Sequence, residues 1–491
     1  MKTRPWPLQF QTLTAGLLAA ALTTLAACAI NPATGQNQLS FFNEAEEIQL
    51  GVQVDQEILA NSRTYDDPKL EAYVSELGMR LAAVSERPDL PWSFRIADDE
   101  IVNAFALPGG RIYVTRGLLA HLSREAELAG VLGHEIGHVT ARHSVNGLSR
   151  ELAISAGVVA ALVLLDSGET AEIVTGLGLN LLFLKFGRNQ ERQADQLGVR
   201  YVRGAGLDPH GVVDVLRVLQ VVSSAQSDGW FPVWLSTHPD PDKRWQRLAD
   251  ETGLGPGRPA SSLQDEVDTY VARLDGLVYG SDPRNGVLEE NAWVQLRDGY
   301  QMAFPVGWEI EREGQTLAAE NAPKDSLVML LPQLGATVHE AADSFADEEG
   351  VVTHEFWDES LGGLEARLTY FEADLGDGTE DEPTRGLAAF VRTQGRIVAV
   401  LGLSAAEFWP ERRREIERSV RSIGRIVRPE RYAAEPQRLK VVTLDRAMNA
   451  TEIARRYSPD AEAGTIALLN QMDENSRIEA GRRVKVLVGA R

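Results

Sequence analysis

Two histidines and one glutamate form the most chemically informative cluster in this sequence. His134 and His138 are four positions apart, and Glu135 directly follows the first of them. Residues four apart share one face of a helix, so both imidazoles can bind the same metal ion. Glu135 lies beside that face, where its carboxylate can act as a general base toward water. This His-Glu-x-x-His spacing is typical of zinc peptidases and predicts a bound Zn2+ ion.

The competing interpretation of the motif is a pair of structural histidines buried on a core helix. The chain has only 8 histidines, so two at this spacing are informative. Leu128, Val131 and Leu132 precede the motif and indicate a helix packed against a core. The scarcity of histidines and this mid-helix context favour the metal site over the structural pair.

A third metal ligand must come from elsewhere, since catalytic zinc sites usually have three protein ligands and one position for water. Glu191 and Asp195 are four residues apart and would share a helical face. Glu191 would bind zinc, and Asp195 would accept the outer N–H of a ligand histidine and fix its tautomer. A solvated, charged helix turn is the commoner meaning of such a run, so the residues alone leave both interpretations open.

Four segments together resemble the HtpX/CAAX prenyl protease family of zinc peptidases. The type most similar is that of the soluble periplasmic members in outer-membrane protein quality control, since the sequence lacks the long spanning helices of the membrane proteases. The resemblance covers roughly residues 40–250 and rests on residues 103–118, 127–143, 191–195 and 236–239.

The resemblance assigns roles to residues outside the histidine motif. It implies that Glu191 is the third zinc ligand. It places His238 near the metal, either as a plug that takes the position of the water or as a group that stabilises the oxyanion. Arg244 matches a basic residue near the site and is a second candidate for stabilising the oxyanion.

Particular secondary-structure elements must position these residues. A helix with Ser123 as its N-cap, running to about His143, would carry the histidine motif. A second helix at about residues 189–202 would carry Glu191. Two strand-like runs flank a Pro-Gly-Gly turn at residues 108–110 and predict a hairpin. We expect an extended substrate to pair with its first strand, which contains Asn103, Ala104 and Phe105.

Two strongly apolar stretches, residues 152–165 and 173–186, follow the histidine motif. Both are shorter than a bilayer requires, so two core helices are the expected structure. The alternative is a helical pair that packs over the active site or dips into a membrane surface.

The chain of 491 residues is long enough for several domains, and the predicted fold class is α+β. A mainly helical peptidase domain with a small sheet is expected to precede an α+β domain of unknown function. The last unit has the order β-α-α-β and looks like a LysM module, which binds N-acetylglucosamine chains; a purely structural appendage is the alternative. The predicted boundaries are 1–28 (signal peptide), 29–255 (peptidase), 256–286 (connector), 287–430 (α+β) and 438–491 (LysM-like).

The N-terminal segment predicts export and lipid attachment. Basic residues at the start precede an apolar run that ends at Cys28, the only cysteine, in a Leu-Ala-Ala-Cys sequence. This resembles a bacterial lipobox, in which the thiol is acylated. Ala29 follows the cysteine, a pattern that implies the periplasmic side of the outer membrane. The alternative is an ordinary secretory signal with a chance cysteine.

These features predict a zinc metalloendopeptidase that cleaves extended or misfolded envelope proteins. The outer-membrane assembly machinery and peptidoglycan are the further expected partners. A formal net charge of −22 argues against nucleic acid as a partner, because an acidic surface repels phosphates. The alternative function is a periplasmic chaperone or cell-wall scaffold with a mostly closed zinc site.

The lipid attachment can be tested at Cys28. We expect Cys28→Ser to abolish acylation and to release the protein from the membrane fraction, because serine lacks the thiol that is acylated. Intact mass spectrometry of the membrane-purified protein measures the modification. An unmodified Cys28 in that material would contradict the lipobox interpretation.

Overall fold

The computed structural model has the α+β architecture predicted from the sequence. Residues 1–27 and 151–184, which include the apolar run of the signal and almost all of the two later apolar stretches, lie outside the described residues. The described residues are 28–61, 63–150, 185–225, 238, 241–254, 264–313, 316–333, 335, 337–348, 350–373, 383–432, 435–473 and 475–489.

The helical part of the chain surrounds the histidine motif. After a short hairpin of β1 (Cys28–Ile30) and β2 (Asn37–Leu39), helices dominate this part. The described helices are α1 (Glu44–Asn61), α2 (Pro68–Ala82), α3 (Arg116–His121), α4 (Glu125–Thr140), α5 (Arg188–Gly204), α6 (His210–Ala225), α7 (Pro241–Thr252) and α8 (Gln264–Ala272).

A small three-stranded sheet lies beside these helices. Its strands are β3 (Ser93–Ala97), β4 (Ala104–Leu107) and β5 (Arg111–Thr115), in the spatial order β3-β5-β4. The predicted hairpin forms between β4 and β5, with Gly109 at φ 76° in its turn. Glycine is needed there, because an added Cβ would lie 2.7 Å from the Cα atom of Ile48. In the order β3-β5-β4, strand β4 is an edge strand of the sheet.

Helix α4 packs unusually close to α5, and small residues make this possible. A Cβ added at Gly137 would lie 3.1 Å from the Cα atom of Ala194, and one added at Gly133 would lie 3.2 Å from the carbonyl oxygen of Gly198. Side chains larger than hydrogen would push the two helices apart. The short distance brings Glu191 on α5 within reach of the histidines on α4.

Both ends of α4 differ from the sequence-based prediction. Arg124, not Ser123, occupies the N-cap position, and the backbone N–H of Ser123 instead donates to the Glu127 carboxylate at 2.7 Å. The helix ends at Thr140, not at about His143. Arg142 has a φ of 59°, a left-handed conformation that turns the chain before a new helix begins at residue 143. The prediction was wrong here because no glycine marks this turn.

Tertiary contacts hold Arg142 in that conformation. Its Nε donates to Glu47 on α1 at 2.9 Å, and its terminal nitrogen donates to the carbonyl of Phe42 at 2.7 Å. Glu47 is 1% exposed and also binds Arg87 at 2.8 and 2.9 Å. Charge-assisted bonds in a buried site offset the cost of a strained backbone.

The middle of the chain combines antiparallel sheets with helices, in agreement with the predicted α+β class. A large antiparallel sheet is buried on both faces, with α9 (Val338–Ala346) and α10 (Trp409–Val420) against opposite faces. Its strands are β9 (Glu309–Glu313), β10 (Thr316–Glu320), β11 (Ser326–Gln333), β12 (Val351–Thr353), β13 (Trp357–Leu361), β14 (Leu364–Ala373), β15 (Thr384–Arg392) and β16 (Ile397–Ala405). A second sheet contains β6 (Val287–Glu289), β7 (Ala292–Gln295), β8 (Tyr300–Ala303) and β17 (Gly424–Arg425).

The C-terminal residues have the predicted β-α-α-β order. Strands β18 (Arg438–Thr443) and β19 (Arg483–Val488) pair antiparallel, and α11 (Ala450–Tyr457) and α12 (Ala463–Leu469) lie between them in the chain. The apolar side chains of this unit belong to the same hydrophobic core as those of the helical part.

A buried lysine fixes this unit against the end of α3, just before the helix that carries the histidine motif. The ammonium of Lys485 on β19 donates to the carbonyls of Ala120 and Leu122 at 2.8 and 2.7 Å, at the C-terminal end of α3. Burial lowers the pKa of Lys485 to about 7. Gln471 donates to Glu127 in the first turn of α4 at 2.9 Å. The C-terminal unit therefore contacts the start of α4 directly.

Among the described residues, the helices are too short or too polar to cross a lipid bilayer. This finding covers neither the N-terminal segment nor residues 151–184.

Candidate metal centre

Three separate parts of the fold bring four potential metal ligands together. The Nε2 atoms of His134 and His138 on α4 face each other at 3.0 Å. Glu191 on α5 places a carboxylate oxygen 3.3 Å from Nε2 of His138, and His238 places Nδ1 2.9 Å from the same carboxylate. One ligand atom from each residue lies within 4.8 Å of the other three, and all four side chains are buried.

The spacing of these atoms fits a metal ion. Ligands at 2.0–2.1 Å from a tetrahedral zinc are about 3.3 Å apart. The distances between His134, His138 and Glu191 in this cluster are 3.0, 3.3 and 3.7 Å. Two imidazole nitrogens and a carboxylate are donors that suit zinc and other first-row transition metals. The residues therefore form a buried His/Glu cluster able to hold a metal.

The outer nitrogen of His134 has the partner expected from the sequence. Its Nδ1 lies 3.1 Å from a carboxylate oxygen of Asp195, one turn after Glu191 on α5. A carboxylate in this position accepts the Nδ1–H and leaves the Nε2 lone pair directed at the cluster.

The outer nitrogen of His138 has a partner that the sequence did not reveal. Its Nδ1 lies 3.1 Å from Nδ1 of His143, whose Nε2 lies 3.0 Å from the side-chain oxygen of Gln193. With protons on Nδ1 of His138 and Nε2 of His143, both contacts become hydrogen bonds and Nε2 of His138 stays unprotonated. The left-handed Arg142 brings His143 back toward the cluster. A further histidine five positions after His138 was the only signal in the sequence.

The protonation states of the cluster suit metal binding. Burial lowers the pKa of His138 well below its ordinary value of 6.5, so its imidazole is neutral. Burial opposes ionisation of Glu191, but the nearby His238 and Arg244 hold its carboxyl pKa well below 4.5. A neutral imidazole and an ionised carboxylate are the forms that bind metals.

Arg244 lies among the carboxylates of the site. Its guanidinium is 2.7 and 3.1 Å from the Asp195 carboxylate and 2.6 Å from Glu191. Burial of the guanidinium is offset by these two carboxylates, and the pKa of Arg244 is raised. The sequence-based role for this residue was stabilisation of an oxyanion. In the structure, its bonds to Asp195 and Glu191 orient the carboxylates that lie beside His134.

Glu135 and His238 lie on the same side of the cluster. Glu135 is 1% exposed, and its carboxylate is 3.9 Å from Nε2 of His238. Apolar side chains of α6, including Val212 and Val215, form the wall beside Glu135. The Phe186 ring lies 4.0 Å from the His138 ring and 5.3 Å from the His238 ring. The four potential ligands and Glu135 are each at most 4% exposed, so the site is buried in this conformation.

The predicted substrate strand lies at the free edge of the small sheet. Ala104 is fully buried, whereas Asn103 and Phe105 are partly exposed. Phe105 stacks on Tyr113 with the ring centres 5.1 Å apart. In the part of the chain that the structure describes, β4 pairs only with β5, so its other edge has no strand partner. The strand also packs against α4.

Cys28 lies far from these residues in the sequence, and its backbone begins β1.

Comparison with known proteins identifies a family profile and several relatives that match part of this chain. The sequence profile of Peptidase family M48 matches residues 68–252. The β-barrel assembly-enhancing protease of Escherichia coli K12 is 26% identical over 286 residues, which are 56% of this chain and 58% of the relative. The Yersinia pestis protein of that name is 29% identical over 245 residues, 48% of this chain and 50% of the relative.

A eukaryotic relative matches a shorter segment. The mitochondrial metalloendopeptidase OMA1 of Schizosaccharomyces pombe is 34% identical over 179 residues, 36% of this chain and 52% of the relative. The chain thus spans about half the length of the curated relatives it matches. The relatives do not carry the HtpX or CAAX protease names, so that narrower name from the sequence was not exact. The histidine motif, Glu191 and Arg244 all lie within residues 68–252, the part of the chain that matches the profile of Peptidase family M48.

Proposed function

We propose that the chain is a zinc metalloendopeptidase in which His134, His138 and Glu191 hold the ion. The observation that carries the proposal is the buried cluster of ligand atoms within 4.8 Å of one another. The outer contacts of both histidines direct their Nε2 lone pairs to a common point, as a preorganised metal site requires. Zinc in such a site supplies a Lewis acid that activates water and polarises the peptide carbonyl.

Glu135 is the proposed general base. It follows His134 on α4, outside the proposed ligand set, and is buried beside the apolar wall of α6. Its carboxylate takes the proton from the attacking water and passes it to the leaving amine. A carboxylate removed from bulk water keeps that proton within the site between the two steps.

Arg244 is proposed to act on the positions of Glu191 and Asp195. Its guanidinium binds both carboxylates within 3.1 Å, so its charge is largely offset before a substrate binds. Its sequence-based role as an oxyanion stabiliser would require those bonds to rearrange during the reaction.

The substrate is proposed to be an extended polypeptide. The free edge of β4 offers backbone N–H and C=O groups to such a segment, and the strand packs on the helix that carries Glu135. Pairing through the backbone selects an unfolded conformation more than a sequence. Misfolded envelope proteins fit this mode, and relatives named as β-barrel assembly-enhancing proteases support outer-membrane proteins and their assembly machinery as partners.

The proposed location is the periplasm, with Cys28 anchoring the chain to the outer membrane. Its support is the lipobox-like sequence before Cys28. Peptidoglycan binding by residues 438–491 also stays a proposal, which rests on the β-α-α-β order of that unit.

His238 is proposed to act as a plug. It lies among the metal ligands, with Nδ1 2.9 Å from Glu191 and 3.4 Å from Nε2 of His134. Three protein ligands already satisfy a catalytic zinc, so a fourth competes with water. The closed site also suits the second candidate function, a chaperone or scaffold that has little basal proteolysis.

We expect Glu191→Ala to lose the metal. Removal of one of three ligands should lower zinc affinity by more than the roughly 10–100-fold seen when an outer contact is lost. Zinc content after dialysis, measured by mass spectrometry, tests this. The matched control is Glu251→Ala on α7, whose carboxylate pairs with Arg192. Full zinc occupancy in the Glu191 variant would show that the third ligand is another residue.

We expect Glu135→Gln to retain zinc and to lose peptide cleavage by a factor on the order of 10²–10⁴, because the amide cannot accept the proton. Cleavage of unfolded casein, with and without a chelator, is the measurement. Glu125→Gln is the control, since Glu125 is on the same helix and contacts Tyr73. Wild-type turnover in the Glu135 variant would contradict the mechanism. Chelator-insensitive cleavage by the wild type would contradict the zinc proposal, and absence of cleavage by the wild type would favour the scaffold.

We expect His238→Ala to cleave unfolded casein faster than the wild type while zinc content is unchanged, because water would gain the fourth position. The control is His210→Ala, in which the lost imidazole pairs with Asp208 instead. A loss of about 10²–10³ in turnover with zinc intact would instead assign His238 to the oxyanion.

A further inference from the structure

A second cavity lies where three parts of the chain meet, and no residue of the metal centre lines it. Its volume is about 640 Å³, within the range of ligand-binding pockets. Its walls are formed by residues at and after the end of α1, by loops of the two sheets in the middle of the chain, and by the start of β18. Five arginines and one acidic residue supply its charged side chains: Arg63, Arg284, Arg297, Arg396, Arg438 and Asp66.

Two of these arginines form ion pairs with aspartates that are buried beneath the cavity wall. Arg297 donates to Asp98 at 2.9 Å and to Asp282 at 3.0 Å, and Arg284 binds Asp282 at 2.7 Å. The aspartate side chains are at most 1% exposed, whereas those of Arg297 and Arg284 are 25% and 36% exposed. The carboxylates thus lie behind the cavity wall, and the guanidinium groups form part of its surface.

The cavity has five arginines and four nearby carboxylates, which are Asp66 on its wall and the buried Asp98, Asp282 and Asp298. Arg63 and Arg396 both contact the buried Asp298. Arg438 donates to the carbonyl of Gly276 at 2.9 Å and has no ion-pair partner among the residues that the structure describes. A local excess of guanidinium groups is notable in a chain with a net charge of −22, and it marks a place where an anion would be favoured.

The chemistry of the wall identifies the class of anion. Guanidinium groups bind phosphate oxygens through paired, charge-assisted hydrogen bonds. Each phosphate group offers several acceptor oxygens and up to two charges, so it can satisfy more than one arginine. A cavity wall dominated by arginine does not suit an acyl chain. We propose that this cavity binds a polar ligand with two or more phosphate groups.

A ligand in this cavity would connect parts of the chain that are distant in sequence. Thr64 on its wall forms a β-bridge with Ala97 of β3, and the neighbouring Tyr65 hydroxyl accepts from the backbone of Val278. Arg438 extends the wall into the C-terminal unit. A ligand that binds the folded chain and not the unfolded chain raises the thermal stability of the protein.

Titration of the full chain with sodium tripolyphosphate tests the proposal. We expect binding with a Kd on the order of 10⁻⁵ M by calorimetry, a Tm increase of about 2–4 °C at saturating ligand, and weaker binding at high salt. Glucose 1,6-bisphosphate, titrated separately, distinguishes a phosphorylated sugar from a free oligophosphate by which probe binds more tightly. If neither probe binds, the proposal is wrong.

Variants assign the binding to the cavity. We expect Arg284→Gln and Arg438→Gln each to weaken binding about tenfold, the effect of one lost charge-assisted contact. Arg284→Gln leaves Asp282 paired with Arg297, so this variant should keep the unliganded Tm. The control Arg456→Gln removes the same charge from an arginine that pairs with Asp445. Equal affinity in Arg284→Gln and the control would overturn the proposal.

Discussion

The contact between two buried carboxylates of α5 and two imidazoles of α4 is the interaction on which the metal centre depends. Glu191 and Asp195 are each 1% exposed. An isolated carboxylate buried to this degree would cost several kcal/mol, so each must have charged or hydrogen-bonding partners. His134, His138, His238 and Arg244 supply them. Glu191 reaches the histidines because Gly133, Gly137 and Gly198 let the two helices approach closely.

Contacts far from the cluster set the orientation of its histidines. Glu47 on α1 binds Arg142, Arg142 holds a left-handed turn, and that turn places His143 against His138. The start of α4 is fixed in a comparable way by the C-terminal unit, through the bond from Gln471 to Glu127. Helix α4, which carries the histidine motif, is therefore held at both ends by residues from other parts of the chain. Rigid support of this kind keeps ligand atoms at the short distances a metal needs.

The C-terminal unit is a part of the core as well as a candidate binding module. Lys485 is fully buried, yet its ammonium bonds to two carbonyls at the end of α3, which is how a helix C-terminus binds a cation. The arginine-lined cavity adds another connection, since Arg438 of the same unit forms part of its wall. A ligand bound by this unit or by the cavity would therefore contact a part of the chain that shares its hydrophobic core with the metal centre.

The sequence by itself determined the local features that follow from periodicity. It predicted the α+β class, the helix that carries Glu191 to within about two residues, the β4–β5 hairpin and the shared helical face of His134 and His138. These depend on neighbouring residues alone: apolar spacing, the Pro-Gly-Gly turn and the four-residue repeat of a helix. Glu191, His238 and Arg244 came from resemblance to a family, because residue spacing cannot show which distant side chain approaches a given histidine.

Only the tertiary structure decided which side chains surround those residues. It ended α4 at Thr140, because contacts with α1 stabilise a left-handed arginine that has no signature in the local sequence. It also brought His143 and Gln193 to His138 and paired Arg244 with two carboxylates. The arginine-lined cavity combines residues from 59 to 438. Such groups meet only when distant segments pack, so their proximity depends on the whole core and not on any one segment.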